Sequence, residues 1–319
     1  MTRALITGVT GQDGSYLAEL LLARGDEVHG VVRDDAEGAT PGVTMHYLDL
    51  SGEGVADLIR ELRPDVIYNL AAVSSVFRSW EEPSVTARLN GLLVAELLSV
   101  VNELRKSGHE TRFVQASSAE IFGAALESPQ NEQTAIRPTS PYGAAKAYAH
   151  GLVGAYRAAG TFASSVILYN HESPRRPEAF VTRKITAAAA RISLGLQDRI
   201  ELGNLDARRD WGWAPDYVDA LTRAADAGSP GDYVIATGVV HSVEDFARTA
   251  FERAGINDWR SHVDLSEGLL RAGDSPEQRG DSSIAKAELG WSPTFGFEEI
   301  VGAMVDADLA LLLASPTVD

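Results

Sequence analysis

Seven residues near the start of the chain constrain it more than any other feature. Gly8-Val9-Thr10-Gly11-Gln12-Asp13-Gly14 follows the short apolar run Ala4–Thr7 and opens an amphipathic stretch at Ser15–Arg24. A strand that turns through glycines into a helix lets backbone approach a pyrophosphate and aims helix N–H groups at it. The spacing is GxxGxxG. It predicts a dinucleotide site built from Gly8, Thr10, Gly11, Gln12, Asp13 and Gly14.

Further β-α alternation extends that unit. Glu27–Val32, Val66–Leu70, Arg112–Ala116 and Ser165–Leu168 read as strands, separated by helical patterns at Val55–Leu62, Val85–Lys106 and Tyr142–Ala159. The predicted class is α/β: a Rossmann-type doubly wound parallel sheet with a smaller C-terminal substrate-binding α/β cap. Residues 1–169 are expected to form mainly the dinucleotide-binding domain. Residues 170–319, less regular and rich in Pro, Gly and Asp, are expected to bind mainly substrate, with some chain crossing back. Asp49 and Leu50 follow the third strand and should lie beside adenine, while Leu70, Ala71 and Ala72 follow the fourth and offer small side chains to the cofactor.

Among 319 residues, 45% are hydrophobic, enough for a full core, and the formal charge of −17 repels nucleic acid and anionic membrane. Neither partner is expected. No cysteine is present, which removes disulfides, thiolate metal sites and a thiol nucleophile. Met1-Thr2-Arg3 runs straight into the first strand, and no apolar run approaches the roughly 20 residues of a bilayer span, so a cytoplasmic protein is expected. His29, His46, His150, His241 and His262 lack metal-ligand spacing and read as surface or packing residues; no metal site is expected.

The end of the second strand carries opposing signals for the adenine ribose. Arg33 would pair with a 2′-phosphate, whereas Asp34 and Asp35 would accept from a 2′-hydroxyl. The reading is NADP, with NAD as the alternative.

Chemistry concentrates on two segments. Tyr142-Gly143-Ala144-Ala145-Lys146 puts a phenol and an ammonium four residues apart on one helical face, where the cation favours tyrosinate over a phenol of ordinary pKa about 10. Ser118-Ala119-Glu120 adds a hydroxyl and a carboxylate at a strand end. A carboxylate there can remove a proton beside a newly formed ketone, which points to elimination beyond simple oxidation.

Taken together, Gly8–Tyr16 (GVTGQDGSY), Tyr68–Ala72 (YNLAA), Gln115–Gly123 (QASSAEIFG), Ser140–Lys146 (SPYGAAK), Asn170–Arg176 (NHESPRR), Phe180–Ile185 (FVTRKI) and Gly203–Gly212 (GNLDARRDWG) resemble the GDP-mannose 4,6-dehydratase family of extended short-chain dehydrogenases over nearly the whole chain. The resemblance implies conversion of GDP-mannose to GDP-4-keto-6-deoxymannose by internal hydride transfer and loss of water, with Ser118, Glu120, Tyr142 and Lys146 catalytic. It implies Ser74, His171 and Arg176 at the cofactor. It also implies Ser79, Asn170, Val181, Lys184, Arg209, Arg271 and Asp274 at the nucleotide sugar, the arginines suiting a diphosphate. Arg208 reads as solvated loop charge and Trp211 as core. The segment after the second strand is shorter than the family pattern, which makes a homodimer the expected assembly, with a tetramer as the alternative. Trp213 stands where the family has histidine. On the same scaffold, a nucleotide-sugar 4-reductase or epimerase, or a dehydratase for another NDP-hexose, is the rival reading.

Overall fold

The computed structural model describes residues 1–33, 40–50, 54–266, 268, 275 and 277–314. Asp34, Asp35, Arg271 and Asp274 lie outside them. In chain order the first half runs β1 (Arg3–Thr7), α1 (Gln12–Ala23), β2 (Glu27–Val32), β3 (Thr44–Tyr47), α2 (Val55–Leu62), β4 (Val66–Asn69), α3 (Val76–Glu81), α4 (Pro83–Ala87), α5 (Leu93–Lys106), β5 (Arg112–Ser118), α6 (Pro141–Ala158) and β6 (Ala163–Leu168). The second half continues with β7 (Asn170–Glu172), α7 (Val181–Ser193), β8 (Ile200–Leu202), β9 (Arg208–Arg209), β10 (Trp211–Trp213), α8 (Ala214–Asp226), β11 (Asp232–Ile235), β12 (His241–Ser242), α9 (Val243–Arg253), β13 (Val263–Leu265), β14 (Glu277–Gln278), α10 (Ser283–Leu289) and α11 (Phe297–Ala314).

Seven parallel strands in the order β11-β6-β5-β4-β1-β2-β3 make the main sheet. Side chains alternate across it: Leu5, Ile67 and Phe113 pack with Leu97, Val101 and Val153 on one face, while Ile6, Tyr68 and Val114 pack with Leu17, Leu21 and Leu221 on the other. Both faces are covered, so the strands read as continuous apolar runs. The chain turns from β3 back to β4 on the far side of β1. That reversal opens a crevice at the carboxyl ends of β1 and β4, where ligands of such sheets bind.

The sheet does not end with residue 169. β11 adds its last strand, and Tyr217, Leu221 and Trp291 belong to the same core. A separate core joins α7, α9 and α11 through Ile185, Phe246, Phe251, Ile300 and Met304, with Trp211 buried against Phe246 and Phe297.

Pro83–Lys106 corrects one sequence expectation. It forms a helical run of 24 residues that is long and apolar enough, by length and composition, to cross a membrane, yet half of its apolar window is buried inside the protein. Leu93, Val94, Leu97, Leu98, Val100, Val101 and Leu104 supply that buried face, so the run serves as a core helix. Its regular pattern is broken by a wide π turn at Arg88–Leu92. There, buried Asn90 accepts from the Val73 N–H at 2.8 Å and donates to the Val73 carbonyl at 3.0 Å, pinning the loop that leaves β4.

Candidate active site

The glycine turn is built as its spacing predicts. Gly8 adopts φ +72°, and a Cβ there would meet Ala71 N at 2.9 Å; a Cβ on Gly14 would meet the Gly8 carbonyl oxygen at 2.2 Å. Only glycine permits both the left-handed turn and the close seat of α1. No side chain caps the N-terminus of α1, whose N-cap is Gly11. Free N–H groups, positive helix polarity and the small Ala71 and Ala72 beside them suit a dinucleotide pyrophosphate. Thr10 and Ser74 are exposed at this mouth, Leu70 is half-buried at the end of β4, Arg33 follows β2, and Asp49 and Leu50 follow β3.

Beneath the turn runs a buried chain of hydrogen bonds that sequence reasoning missed. Leu70 and Ala71 N–H groups each donate to Thr7 Oγ1 at 3.1 Å, and Thr7 Oγ1 donates to Asn69 Oδ1 at 2.7 Å. Asn69 donates to Gln115 Oε1 at 2.8 Å, Gln115 donates to the Ala116 carbonyl at 2.9 Å, and Lys146 Nζ donates to that same carbonyl at 2.8 Å. Every donor finds an acceptor, which is what a buried polar network requires. The crevice at the glycine turn is thereby joined to Lys146. Asn69 and Gln115 sit inside quoted motifs, but only strand adjacency reveals that they touch.

Ser140 caps α6 by accepting from the Gly143 N–H at 3.0 Å, and Pro141 occupies the first turn. A Cβ on Gly143 would strike the Glu120 carbonyl oxygen at 2.6 Å, so the glycine between Tyr142 and Lys146 lets the 3₁₀ turn Ala119–Ile121 press against the helix. That contact brings Ser118, Glu120 and Tyr142 together. Ser118 Oγ accepts from the Glu120 N–H at 3.2 Å. Burial pushes the Tyr142 phenol up to about 12, opposed by a hydrogen bond with Ser118 and reinforced by the Glu120 charge. Lys146 Nζ lies 5.8 Å from the Tyr142 ring centre, and burial pulls it down to about 8 against the attraction of Asp13. Burial thus drives both groups towards neutrality, whereas the spacing alone suggested that the ammonium would dominate.

Residues of NHESPRR clasp the glycine turn. His171 Nε2 meets Asp13 Oδ2 at 2.9 Å, its Nδ1 meets the Tyr169 carbonyl at 2.7 Å, and its ring stacks on Tyr217 at 4.6 Å. Burial opposes charge on both partners, yet their mutual attraction wins, holding the Asp13 carboxyl below its ordinary range and the His171 imidazole above it. Ser173 donates to Gln12 Oε1 at 2.9 Å; Arg175 donates to Ser15 at 3.0 Å and Glu19 at 2.7 Å and lies over Tyr16. Arg176 stacks on Phe180 and sits 3.4 Å from Glu172. Glu172, 1% exposed, accepts from Thr182 at 2.7 Å, and burial still pushes its carboxyl up.

Of the residues expected at the nucleotide sugar, Asn170, Val181, Lys184 and Arg209 are spread along the second lobe, built around the separate α7–α9–α11 core, while Ser79 lies on α3 of the first half. Asn170 begins β7, Val181 begins α7, Lys184 Nζ donates to the Glu201 carbonyl at 2.7 Å, and Arg209 donates to the Ser275 carbonyl at 2.9 Å. Ser79 is fully buried, its hydroxyl on the Val76 carbonyl at 2.6 Å. Arg208 is exposed, and Trp213 stacks on Phe295 at 4.8 Å. Arg183, beside Lys184, is held inward by Asp308 at 2.6 Å. At the rim, Gln278 Nε2 donates to Glu120 Oε1 at 3.2 Å, a contact no spacing in the sequence announces.

Known proteins match this architecture throughout. The family model described as GDP-mannose 4,6 dehydratase matches residues 5–304. GDP-mannose 4,6 dehydratase 2 of Arabidopsis thaliana is 44% identical, the match covering 97% of this chain and 87% of that protein. Among solved structures, the Thermus thermophilus UDP-glucose 4-epimerase complex with NAD aligns with TM-score 0.83 at 28% identity, covering 96% of this chain and 98% of that one. RMD from Pseudomonas aeruginosa, complexed with NADPH, aligns with TM-score 0.79 at 22% identity, covering 97% and 100%, and speaks for the fold alone. The epimerase shares the scaffold, but the match over nearly the whole chain is to dehydratases: this chain belongs to the GDP-mannose 4,6-dehydratase family.

Proposed function

We propose that this protein is a nucleotide-sugar 4,6-dehydratase that converts GDP-mannose to GDP-4-keto-6-deoxymannose with a bound nicotinamide dinucleotide, NADP in our reading. One observation carries it: the Glu120 turn packs on α6 through Gly143, setting a carboxylate beside the Ser118–Tyr142 pair. A reductase or epimerase needs the phenol but not this second base.

Tyr142 takes the proton from the sugar O4, helped by Ser118 and by the nearby Lys146. The nicotinamide, when bound, supplies the reversible two-electron acceptor that makes the net reaction redox-neutral. A ketone at C4 acidifies the C5–H, and Glu120 removes that proton. Handed on to the C6 hydroxyl, with Ser118 as hydrogen-bond partner, the proton lets water leave. Over the cycle one water is lost, and C5 regains a proton equal in number to the one Tyr142 took. Because the cofactor must serve twice, it has to stay bound, and the clasp of His171, Ser173 and Arg175 over the glycine turn supports retention.

Lys184 and Arg209 supply cations for the diphosphate at the edge of the second lobe, and Arg33 is the group in this reading that favours the 2′-phosphate. Residues 1–169 serve chiefly the cofactor, and 170–319 chiefly the sugar nucleotide. A cytoplasmic homodimer completes the proposal, supported by exposed Phe77, Trp80, Leu92 and Tyr148 on neighbouring helical segments.

The test is incubation of the purified protein with GDP-mannose and no added reductant, with mass spectrometry of the sugar nucleotide and of the retained cofactor. A 4-keto-6-deoxy product is expected. Product only with stoichiometric NAD(P)H would sink the dehydratase reading, and retained NAD would overturn the choice of NADP.

A further inference from the structure

Glu120 has a partner at the edge of the site. Gln278 is 5% exposed on β14, where it lies opposite Arg209 of β9 and its backbone carbonyl accepts from the Asp210 N–H at 3.1 Å. Asp210, fully buried, in turn accepts from Thr237 and Gly238 N–H groups at 2.8 Å and from the Gly280 N–H at 3.4 Å, so the strand carrying Gln278 is tied down on either side. The Gln278 side chain reaches Glu120 Oε1 with its Nε2 at 3.2 Å. Its Oε1 is buried too, and meets no donor among the described residues.

A carboxylate only accepts hydrogen bonds, so the NH₂ end of the amide must face it. A carboxylic acid also donates. A glutamate that takes a proton from carbon therefore changes what it asks of its neighbour, and a glutamine is the neutral side chain that answers both requests by a half-turn about χ3. An unpaired buried acceptor is costly to keep.

We propose that Gln278 is a positioning residue for Glu120: its NH₂ orients the carboxylate towards the substrate, and its buried carbonyl oxygen receives the new O–H once Glu120 is protonated. The proposal rests on the dehydratase reading, with Glu120 as the C5 base. In the step itself the C5 proton passes to Glu120 and the C–H electron pair becomes the C5–C6 π bond. The C6 hydroxyl departs as water with the proton Glu120 returns, and Gln278 gains and loses none.

The kcat and KM of the holoenzyme, compared with Gln278→Leu and Gln278→Glu, test this. Tyr142, whose phenol feels the Glu120 charge, and Arg209, opposite Gln278, are the same in all three proteins. Without the donor the Glu120 carboxylate loses its orienting partner, so kcat should fall about tenfold in the leucine variant with KM and retained cofactor within about twofold. A second carboxyl should repel Glu120 and lower kcat further in Gln278→Glu. Should the leucine variant fail to fold, the isosteric glutamate carries the comparison. Substrate deuterated at C5 should show a larger isotope effect on kcat in the variants than in the wild type, since the step that slows is the one Glu120 performs. An unchanged kcat in folded variants overturns the role of Gln278, whereas failure of the wild-type protein to turn over GDP-mannose overturns only the functional reading on which it rests.

Discussion

The two sides of the site are built on opposite plans. Along the sheet crevice one series of polar groups is matched link by link, although Ser117 Oγ nearby is buried without a partner among the described residues: Thr7, Asn69, Gln115 and Lys146 pass hydrogen bonds from strand to strand, and Asp13 with Gln12 is clasped by His171 and Ser173. Along the rim formed by β9 and β14, the buried Gln278 carbonyl oxygen is left open, and the lysine and arginine of that side lean on backbone carbonyls. A saturated network resists movement. An unsaturated one holds groups ready to change partners. On the proposed reading, the matched series would steady the cofactor side, and the open Gln278 oxygen would leave the rim free to answer a change at Glu120.

The first way to break the contrast is at its centre. Tyr142→Phe keeps the ring but removes the proton acceptor, and turnover should fall about 10³-fold while mass spectrometry finds the cofactor still bound. A similar loss of cofactor and activity together would mean that the phenol anchors more than it catalyses.

Next in size is the cofactor side itself. Asn69→Leu strands the Thr7 hydroxyl and Gln115 Oε1, so denaturant unfolding should register a loss of about 2–4 kcal/mol. Gly143→Ala sets a methyl against the Glu120 carbonyl oxygen and should cost about 1–3 kcal/mol, with a larger proportional loss of activity than Asn69→Leu at matched stability. Equal activities at matched stability would show that the Glu120 turn is not what Gly143 protects.

A smaller effect distinguishes the clasp by its pH window. Asp13 has its folded value depressed, so its contribution is present above its ordinary 3.8 and fades as pH falls through the folded value. His171 has its folded value raised, so its contribution is complete below 6.5 and fades as pH rises through the folded value. Wild type should therefore exceed His171→Asn most between about pH 4 and 6.5, by about 1–2 kcal/mol or a few degrees in Tm, with the gap narrowing in alkali. A gap that stays constant with pH would mean that stacking on Tyr217 carries the contact. Least of all, Arg175→Ala removes exposed contacts to Glu19 and Tyr16 and should change Tm by about 1–2 °C.

How much of this could be read beforehand followed the distance between partners. Val55–Leu62 and the glycine turn are local patterns, and the structure reproduces them as α2 and the entry to α1. Val85–Lys106 is legible as helix, yet the π turn at Arg88–Leu92 is not, since its purpose, Asn90 on Val73, lies across 17 residues. Asn69 and Gln115 looked like ordinary strand residues because their partners are 62 and 46 positions away on adjacent strands. Glu120 could be named from its place beside Ser118. Gln278, 158 residues later on a two-residue strand, could not.

The clasp has a consequence for how the molecule comes into being. Its contacts join residues separated by 156 to 161 positions, and the outermost strand of the main sheet arrives only at Asp232–Ile235. During synthesis the glycine turn emerges first and waits for half the chain before anything holds it shut. A nascent or truncated product ending near residue 169 would display the fingerprint of a dinucleotide site and yet lack the latch. If the clasp retains the cofactor as proposed, tight binding therefore begins only once His171, Ser173 and Arg175 have been added.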